Sequence, residues 1–239
     1  MGENLIAPLK VAVLIPAFNA SRTIFELVRR IAKLIELQNI IVVDDGSSDN
    51  TSCLAREAGA VVLCHRENRG KGEALKTGFR HVMDGCYHGV ISLDADGQHD
   101  ERFIPLFLQI ALQKKADILI GSRMDLVGQM PWIRVLTNRI TSACISALVG
   151  QKIPDSQSGY RYIRTDVLKV LRLRTSHYET ESEILMQAGR KGYRIDSVPI
   201  SSIYGEEKSA IRPMRDTLRF ILLVMRNLFN FGNTPLKLH

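Results

Sequence analysis

The chain has 239 residues, with 32 Lys and Arg against 25 Asp and Glu for a formal net charge of +7. With 45% hydrophobic and 24% charged residues it has the usage of one large globular domain, or one domain plus an appendage, which excludes disorder, collagen-like repeats and coiled coil. The positive balance calls for an acidic partner, and nucleic acid, anionic lipid and phosphorylated small molecules all qualify.

Residues 1–8 lack the basic and apolar regions of a secretory signal, so the expected location is cytoplasmic. Short β-branched and aliphatic runs follow at 11–15, 40–43, 60–63, 90–93 and 118–120, and read as buried parallel strands. Between the first two, residues 21–37 carry Ile24, Leu27, Val28, Ile31, Leu34 and Ile35 on one helical face, with Ser21 as a cap. Further helices are predicted over 50–59, 72–83 and 101–114. The alternation predicts an α/β fold: an open, mostly parallel sheet with helices on both faces. After Gly121 come a long helix at 132–149, a strand at 158–163, a helix at 181–190 and a strand at 193–200. Cys53, Cys64, Cys86 and Cys144 are too widely spaced for zinc or redox pairs and are expected to be reduced, buried thiols. The longest apolar run near the C-terminus, 220–225, falls far short of the ~20 residues needed to span a bilayer.

Ligands of open parallel sheets bind beyond the carboxyl ends of the strands, and here those ends carry polar residues of a particular kind. The first strand runs into Pro16-Ala17-Phe18-Asn19, the second into Asp44-Asp45-Gly46-Ser47-Ser48-Asp49, and the fourth into Asp94-Ala95-Asp96-Gly97-Gln98-His99. Asp94 and Asp96, two apart at a strand end, are expected to share a face. Two hard oxygen donors with open positions suit Mg²⁺ or Mn²⁺ bridged to a diphosphate; the competing reading is a solvated turn. Asp44 and Asp45 invite hydrogen bonds to a base or ribose. No Walker loop, dinucleotide fingerprint or nucleophile elbow is present, and His65 reads as a hydrogen-bonding residue of the loop or core. No basic motif with interleaved aromatics points to nucleic acid.

These motifs, together with His65-Arg66-Glu67-Asn68-Arg69-Gly70-Lys71-Gly72-Glu73-Ala74, Gly121-Ser122-Arg123 and Asp155-Ser156-Gln157-Ser158-Gly159-Tyr160-Arg161, resemble the family 2 glycosyltransferases. Within that family the chain is most similar to the dolichyl- and polyprenyl-phosphate mannose synthases, over about residues 10–215. The resemblance implies a GT-A fold over residues 1–210, a GDP- or UDP-linked sugar donor, a divalent metal and inversion at the anomeric carbon. It implies that Asp94, Asp96 and Gln98 hold metal and diphosphate, that Pro16, Ala17, Asn19, Asp44 and Asp45 cradle the nucleoside, and that Lys71 and Ala95 face the donor. Arg123, with Arg134 or Arg139, would grip the acceptor phosphate. Tyr204-Gly205-Glu206-Glu207-Lys208-Ser209 is similar to a subgroup motif and makes Lys208 a catalytic candidate beside Asp96 and Arg123. Ala20 stands where the mannose synthases carry Glu, and Ser202 where they carry Arg.

A lipid monophosphate acceptor, with a second pKa of about 6, is largely ionised at neutral pH and needs little base catalysis. A hydroxyl acceptor, as on a glycolipid or polysaccharide, would need a base, and Glu181 or Glu183 is then the place to look; the competing reading is a charged first helical turn. A non-catalytic nucleotide-sugar-binding subunit is a third reading, opposed by the intact Asp94/Asp96 pair. Residues 211–239 form an expected amphipathic extension: Leu218, Ile221, Leu222, Met225, Leu228 and Phe229 share a face beside Arg212, Arg215, Arg219 and Arg226. That segment would lie on the cytoplasmic face of a membrane, on the core, or on a membrane subunit.

Overall fold

The computed structural model describes residues 9–113, 115–124 and 130–201. Lys208 and the expected amphipathic extension lie outside these residues.

Seven strands form one sheet: β1 Val11–Ala17, β2 Ile40–Asp44, β3 Val61–Cys64, β4 Gly89–Ser92, β5 Ile118–Ser122, β6 Arg161–Arg164 and β7 Ile195–Pro199. Their order is β3-β2-β1-β4-β6-β5-β7. All neighbours are parallel except β6, which runs antiparallel between β4 and β5. The helices are α1 Ile24–Ile31, α2 Thr51–Glu57, α3 Lys71–Asp84, α4 Ile104–Leu112, α5 Trp132–Val149, α6 Thr165–Val170 and α7 Glu179–Arg190.

Every residue of β1 is buried, as an unbroken apolar run between two helical layers requires. On one face of the sheet α1 contributes Ile24, Leu27, Val28 and Ile31, and α4 contributes Ile104, Phe107 and Ala111. On the other face α3 contributes Leu75, Phe79 and Val82, α5 Ile145, and α7 Ile184 and Leu185. The mostly parallel sheet with helices on both faces is thus as expected. Six strands point their carboxyl ends at one rim, and β6 begins there, with Arg161 opposite Ser92. β1 and β4 are neighbours although β2 and β3 intervene in sequence, so their carboxyl ends mark the point where the winding reverses. The last β1 residue paired with β4 is Leu14, opposite Ser92, so the missing N–H of Pro16 removes no bond to β4.

Several local expectations shift. The first helix runs from Ile24 to Ile31, not 21–37: Asp49 takes the Ser21 N–H at 3.1 Å, and after Ala32 the ladder loosens into a turn with Leu34 N–H on the Ile31 carbonyl. The helix expected over 101–114 opens with a separate 3₁₀ turn, Glu101–Phe103, capped by Asp100. The strand expected at 158–163 begins only at Arg161, because the preceding residues are drawn into the rim, and α6 was not anticipated. All four cysteines are free and exposed, not buried.

Phe107 is fully buried and stacks on Tyr160 at 4.7 Å between ring centroids, which in turn lies 5.2 Å from the His99 ring. Phe107→Ala should therefore lower stability by about 3–5 kcal/mol, measured by denaturant unfolding.

Candidate active site

The turn that follows β4 carries Asp94 and Asp96. Asp94 is half-buried and Asp96 exposed, so the pair lies on a turn beyond the strand, not on one face of it. Asp94 faces the Lys71 Nζ at 2.5 Å, and the same ammonium meets Glu181 at 2.9 Å. Lys71 opens α3 and Glu181 lies in the first turn of α7, so one cation joins β4, α3 and α7. Burial alone would lower the Lys71 ammonium, but the two carboxylates outweigh it and hold it above its ordinary value. Burial would raise Asp94, yet Lys71 brings its carboxyl down to about 2. Asp96 moves the other way, pushed up by desolvation and by the neighbouring Asp94 charge.

The backbone makes room for this cluster. A Cβ on Gly159 would stand 2.7 Å from both Asp94 carboxylate oxygens, and one on Gly72 would collide with Ser176 and Thr180 where α3 meets the start of α7. The same junction is stitched by the Ser176 hydroxyl donating to Glu73 at 3.0 Å. Burial keeps the His99 imidazole below its usual pKa, and its Nδ1 accepts the Asp94 N–H at 3.0 Å.

At the carboxyl ends of β1 and β2, Asn19 adopts a positive φ of 51° and is tied to the next loop: its N–H donates to Ser47 Oγ and its side-chain oxygen accepts the Ser48 N–H, both at 2.9 Å. Asp44 accepts from the Ser47 N–H and hydroxyl, and Asp49 accepts from the Thr51 N–H and hydroxyl at the start of α2. Asp45 is buried and accepts from the Arg69 and Gly70 N–H groups at 3.0 and 2.7 Å, which anchors the loop leading into Lys71. His65 bridges Asp45 and Thr77 at 2.6 and 2.9 Å, the hydrogen-bonding role expected of it. Asp44 and Asp45 thus spend much of their acceptor capacity shaping the rim.

Arg123 follows β5 and pairs bidentately with Asp155, Nε to Oδ2 at 2.9 Å and Nη2 to Oδ1 at 3.1 Å. Asp155 is fully buried, and the pairing with Arg123 holds its carboxyl below the ordinary range against the burial that would raise it. Asn138 of α5 donates to the same carboxylate at 2.7 Å and accepts from Ser142 at 2.9 Å. Arg123 lies near enough to Asp94 to help lower it. Arg134 is half-buried near the start of α5, and Arg139 is exposed.

The two glutamates separate. Glu181 answers Lys71. Glu183 is buried and accepts from the Arg174 N–H, the Thr175 N–H and hydroxyl, and Gln187, so its carboxylate holds the loop before α7. Three site-forming residues carried no assigned role in the sequence reading: Asp155, Asn138 and Arg161. Arg161 is 1% exposed and donates only to main-chain carbonyls, those of Ser158 (2.7 Å), Ser156 (2.6 Å) and Glu181 (2.5 Å). It fastens the Asp155 loop to α7; an Arg at the mouth of an apolar strand was the available signal.

A hard divalent cation fits the Asp94/Asp96 rim. Their mutual repulsion raises Asp96, and a cation would relieve it. Among the described residues no three His, Cys, Asp or Glu side chains enclose a metal, and Mg²⁺ or Mn²⁺ sites commonly complete their shell with phosphate oxygens and water.

The mostly parallel sheet with helices on both faces has the architecture of a GT-A fold. A family model described as Glycosyl transferase family 2 matches residues 12–172, and the chain belongs to that family. It is 31% identical over 220 residues to a UDP-N-acetylglucosamine–dolichyl-phosphate N-acetylglucosaminyltransferase of Methanococcus voltae, covering 83% of this chain and 87% of that protein. It is 30% identical over 201 residues to the polyprenol monophosphomannose synthase of Mycolicibacterium smegmatis, covering 79% and 76%. The fold matches a glucosyl-3-phosphoglycerate synthase from Mycobacterium tuberculosis, solved with Mn²⁺, UDP-glucose and phosphoglyceric acid, with a TM-score of 0.71 at 20% identity over 97% of this chain and 82% of that one.

Two outcomes follow from the geometry. Asp155→Asn should weaken the pair that orients Arg123 and cost about 3–5 kcal/mol, read from thermal and denaturant unfolding. Because Asp96 is raised in the folded chain, its ionised form is disfavoured there. Stability is lost as pH climbs from the ordinary carboxylate value of about 3.9 through the raised one. In chelator at neutral pH Asp96→Asn should therefore melt above the wild type, whereas Mn²⁺ should raise the wild-type Tm and leave the variant unmoved.

Proposed function

We propose that this protein is an inverting, metal-dependent hexosyltransferase that moves a mannose- or glucose-type sugar from a GDP- or UDP-linked donor to a polyprenyl or dolichyl phosphate. The observation that carries the proposal is the Lys71 ammonium bound between Asp94 and Glu181 at the strand-order reversal, with Arg123 nearby on the buried Asp155. That arrangement suits two anions, a donor diphosphate and an acceptor phosphate. The names of the relatives, which specify dolichyl-phosphate and polyprenol substrates, support the acceptor class.

In this reading Pro16, Ala17, Asn19, Asp44 and Asp45 shape the nucleoside end of the cleft, with Ala95 beside it. Asp94, Asp96 and Gln98 would hold Mg²⁺ or Mn²⁺, which supplies Lewis-acid stabilisation of the leaving diphosphate. Lys71 adds a fixed positive charge beside the same oxygens. Arg123 presents its guanidinium fork to the acceptor phosphate, with Arg134 and Arg139 as further positive groups along α5. A phosphate oxygen attacks the anomeric carbon as the bond to the diphosphate breaks on the opposite side, so configuration inverts and no proton needs removing from the nucleophile. The commitments of Glu181 to Lys71 and of Glu183 to its own loop favour this ionised acceptor over a hydroxyl that needs a general base. Lys208 remains a catalytic proposal from the sequence alone.

Incubation with labelled nucleotide sugars, Mg²⁺ or Mn²⁺ and a polyprenyl phosphate should yield a metal-dependent lipid-phosphate sugar. Asp96→Ala should abolish it; transfer at the wild-type rate would sink the metal assignment. Arg123→Lys keeps the charge but loses the fork, and should reduce kcat/KM for the acceptor about tenfold or more while leaving donor affinity nearly unchanged.

A further inference from the structure

Lys71 stands at the unfavourable end of its helix. It opens α3, where the aligned peptide dipoles already place positive potential, and a further positive charge there is destabilising unless anions answer it. Two carboxylates do: the Nζ lies 2.5 Å from Asp94 and 2.9 Å from Glu181, with the Tyr178 ring centroid 5.6 Å away. The main chain on either side is held, because Asp45 accepts the Arg69 and Gly70 N–H groups and Gly72 packs with no room for a Cβ against Ser176 and Thr180. The side chain is the part that can move, a compact charge on a flexible four-carbon stem.

Asp94 is hemmed in. A Cβ on Gly159 would stand 2.7 Å from both of its carboxylate oxygens, so that backbone closes one side of the group while the Lys71 ammonium takes Oδ1. A divalent cation shared between Asp94 and Asp96 would meet the ammonium at the same carboxylate, and like charges a few ångströms apart repel strongly. Glu181 gives the ammonium a second seat without its leaving the rim. We propose that Lys71 is a charge interlock: it competes with the divalent cation for Asp94, and Glu181 is the positioning residue that keeps the displaced ammonium at the rim, available to a diphosphate. The interlock rests on the metal and diphosphate reading given above. Under it the two ligands assist each other. A diphosphate draws the ammonium from Asp94 and opens that carboxylate to the metal, and a metal on Asp94 releases the ammonium to the diphosphate; the coupling is reciprocal by linkage.

The full-length protein and its variants are titrated with Mn²⁺ alone, read by the electron paramagnetic resonance of the free ion. They are also titrated with UDP and with GDP, each with and without Mn²⁺, by calorimetry. Lys71→Met should bind Mn²⁺ alone about tenfold or more tighter than the wild type. It should bind the diphosphate alone more weakly, and the factor by which Mn²⁺ and diphosphate tighten each other should shrink. Lys71→Gln keeps a hydrogen-bond donor between the two carboxylates without the charge; it should tighten Mn²⁺ binding in the same way and covers the case of a methionine variant that fails to fold. Glu181→Gln should weaken Mn²⁺ binding, because the ammonium is left to Asp94, and adding Lys71→Met should restore it. Unchanged or weaker Mn²⁺ binding in the Lys71 variants would overturn the interlock and make the lysine a support for the metal ligands. Wild-type affinity in Glu181→Gln would overturn it too, as would a double variant as weak as Glu181→Gln, which would make Glu181 itself a ligand. Mn²⁺ binding left unchanged by Asp96→Asn would instead refute the metal site assigned above, and the interlock with it.

Discussion

One ammonium group organises this rim. The Lys71 Nζ lies between carboxylates that come from a turn after β4 and from the start of α7, 87 residues apart as Asp94 and Glu181. Neither acid stands close to the other in sequence, and each would resist burial without the cation between them. The surrounding backbone is shaped to that contact. Asp45 fastens the loop before Lys71, Gly72 lets α3 approach α7, and Gly159 leaves space for the Asp94 carboxylate. The parallel strands supply the register that brings these pieces to one end of the sheet.

A second ion pair is built differently. Asp155 is fully buried and accepts from Arg123 and Asn138, and Arg161 ties the same loop to α7 through three carbonyls. Arg123 thereby receives a fixed direction at the cost of few rotamers. Both cations act on Asp94, Lys71 by direct contact and Arg123 from its seat on Asp155.

One burial assignment from the sequence was reversed, and one deep burial was not anticipated. The cysteines are apolar enough for a core, yet all four are exposed. Arg161 is charged, follows a loop of polar residues with Gly159, and is nevertheless among the most buried side chains. Composition ranks average preference, whereas the face on which a residue lands is set by the neighbouring elements.

The sequence by itself determined the alternation of strands and helices, because an apolar run flanked by helical periodicity has few other stable arrangements. It also placed Asp94, Asp96, Lys71 and Arg123 in the rim motifs, since strand ends of an open sheet share one edge. Helix lengths were less legible: residues 32–37 keep the apolar spacing of a helix, but Leu34 and Leu37 find no core to fill and the ladder ends at Ile31. The antiparallel insertion of β6 between β4 and β5 was decided only in three dimensions, because strand order depends on which hydrophobic edges meet, not on local pattern. So were the partners of the charged groups. That Lys71 would meet Asp94 and Glu181 and that Asp155 would hold Arg123 follow from approaches between elements distant in sequence, whereas Glu183 closes the loop just before its own helix. Electrostatics acts through distance in space, and sequence separation carries no measure of it.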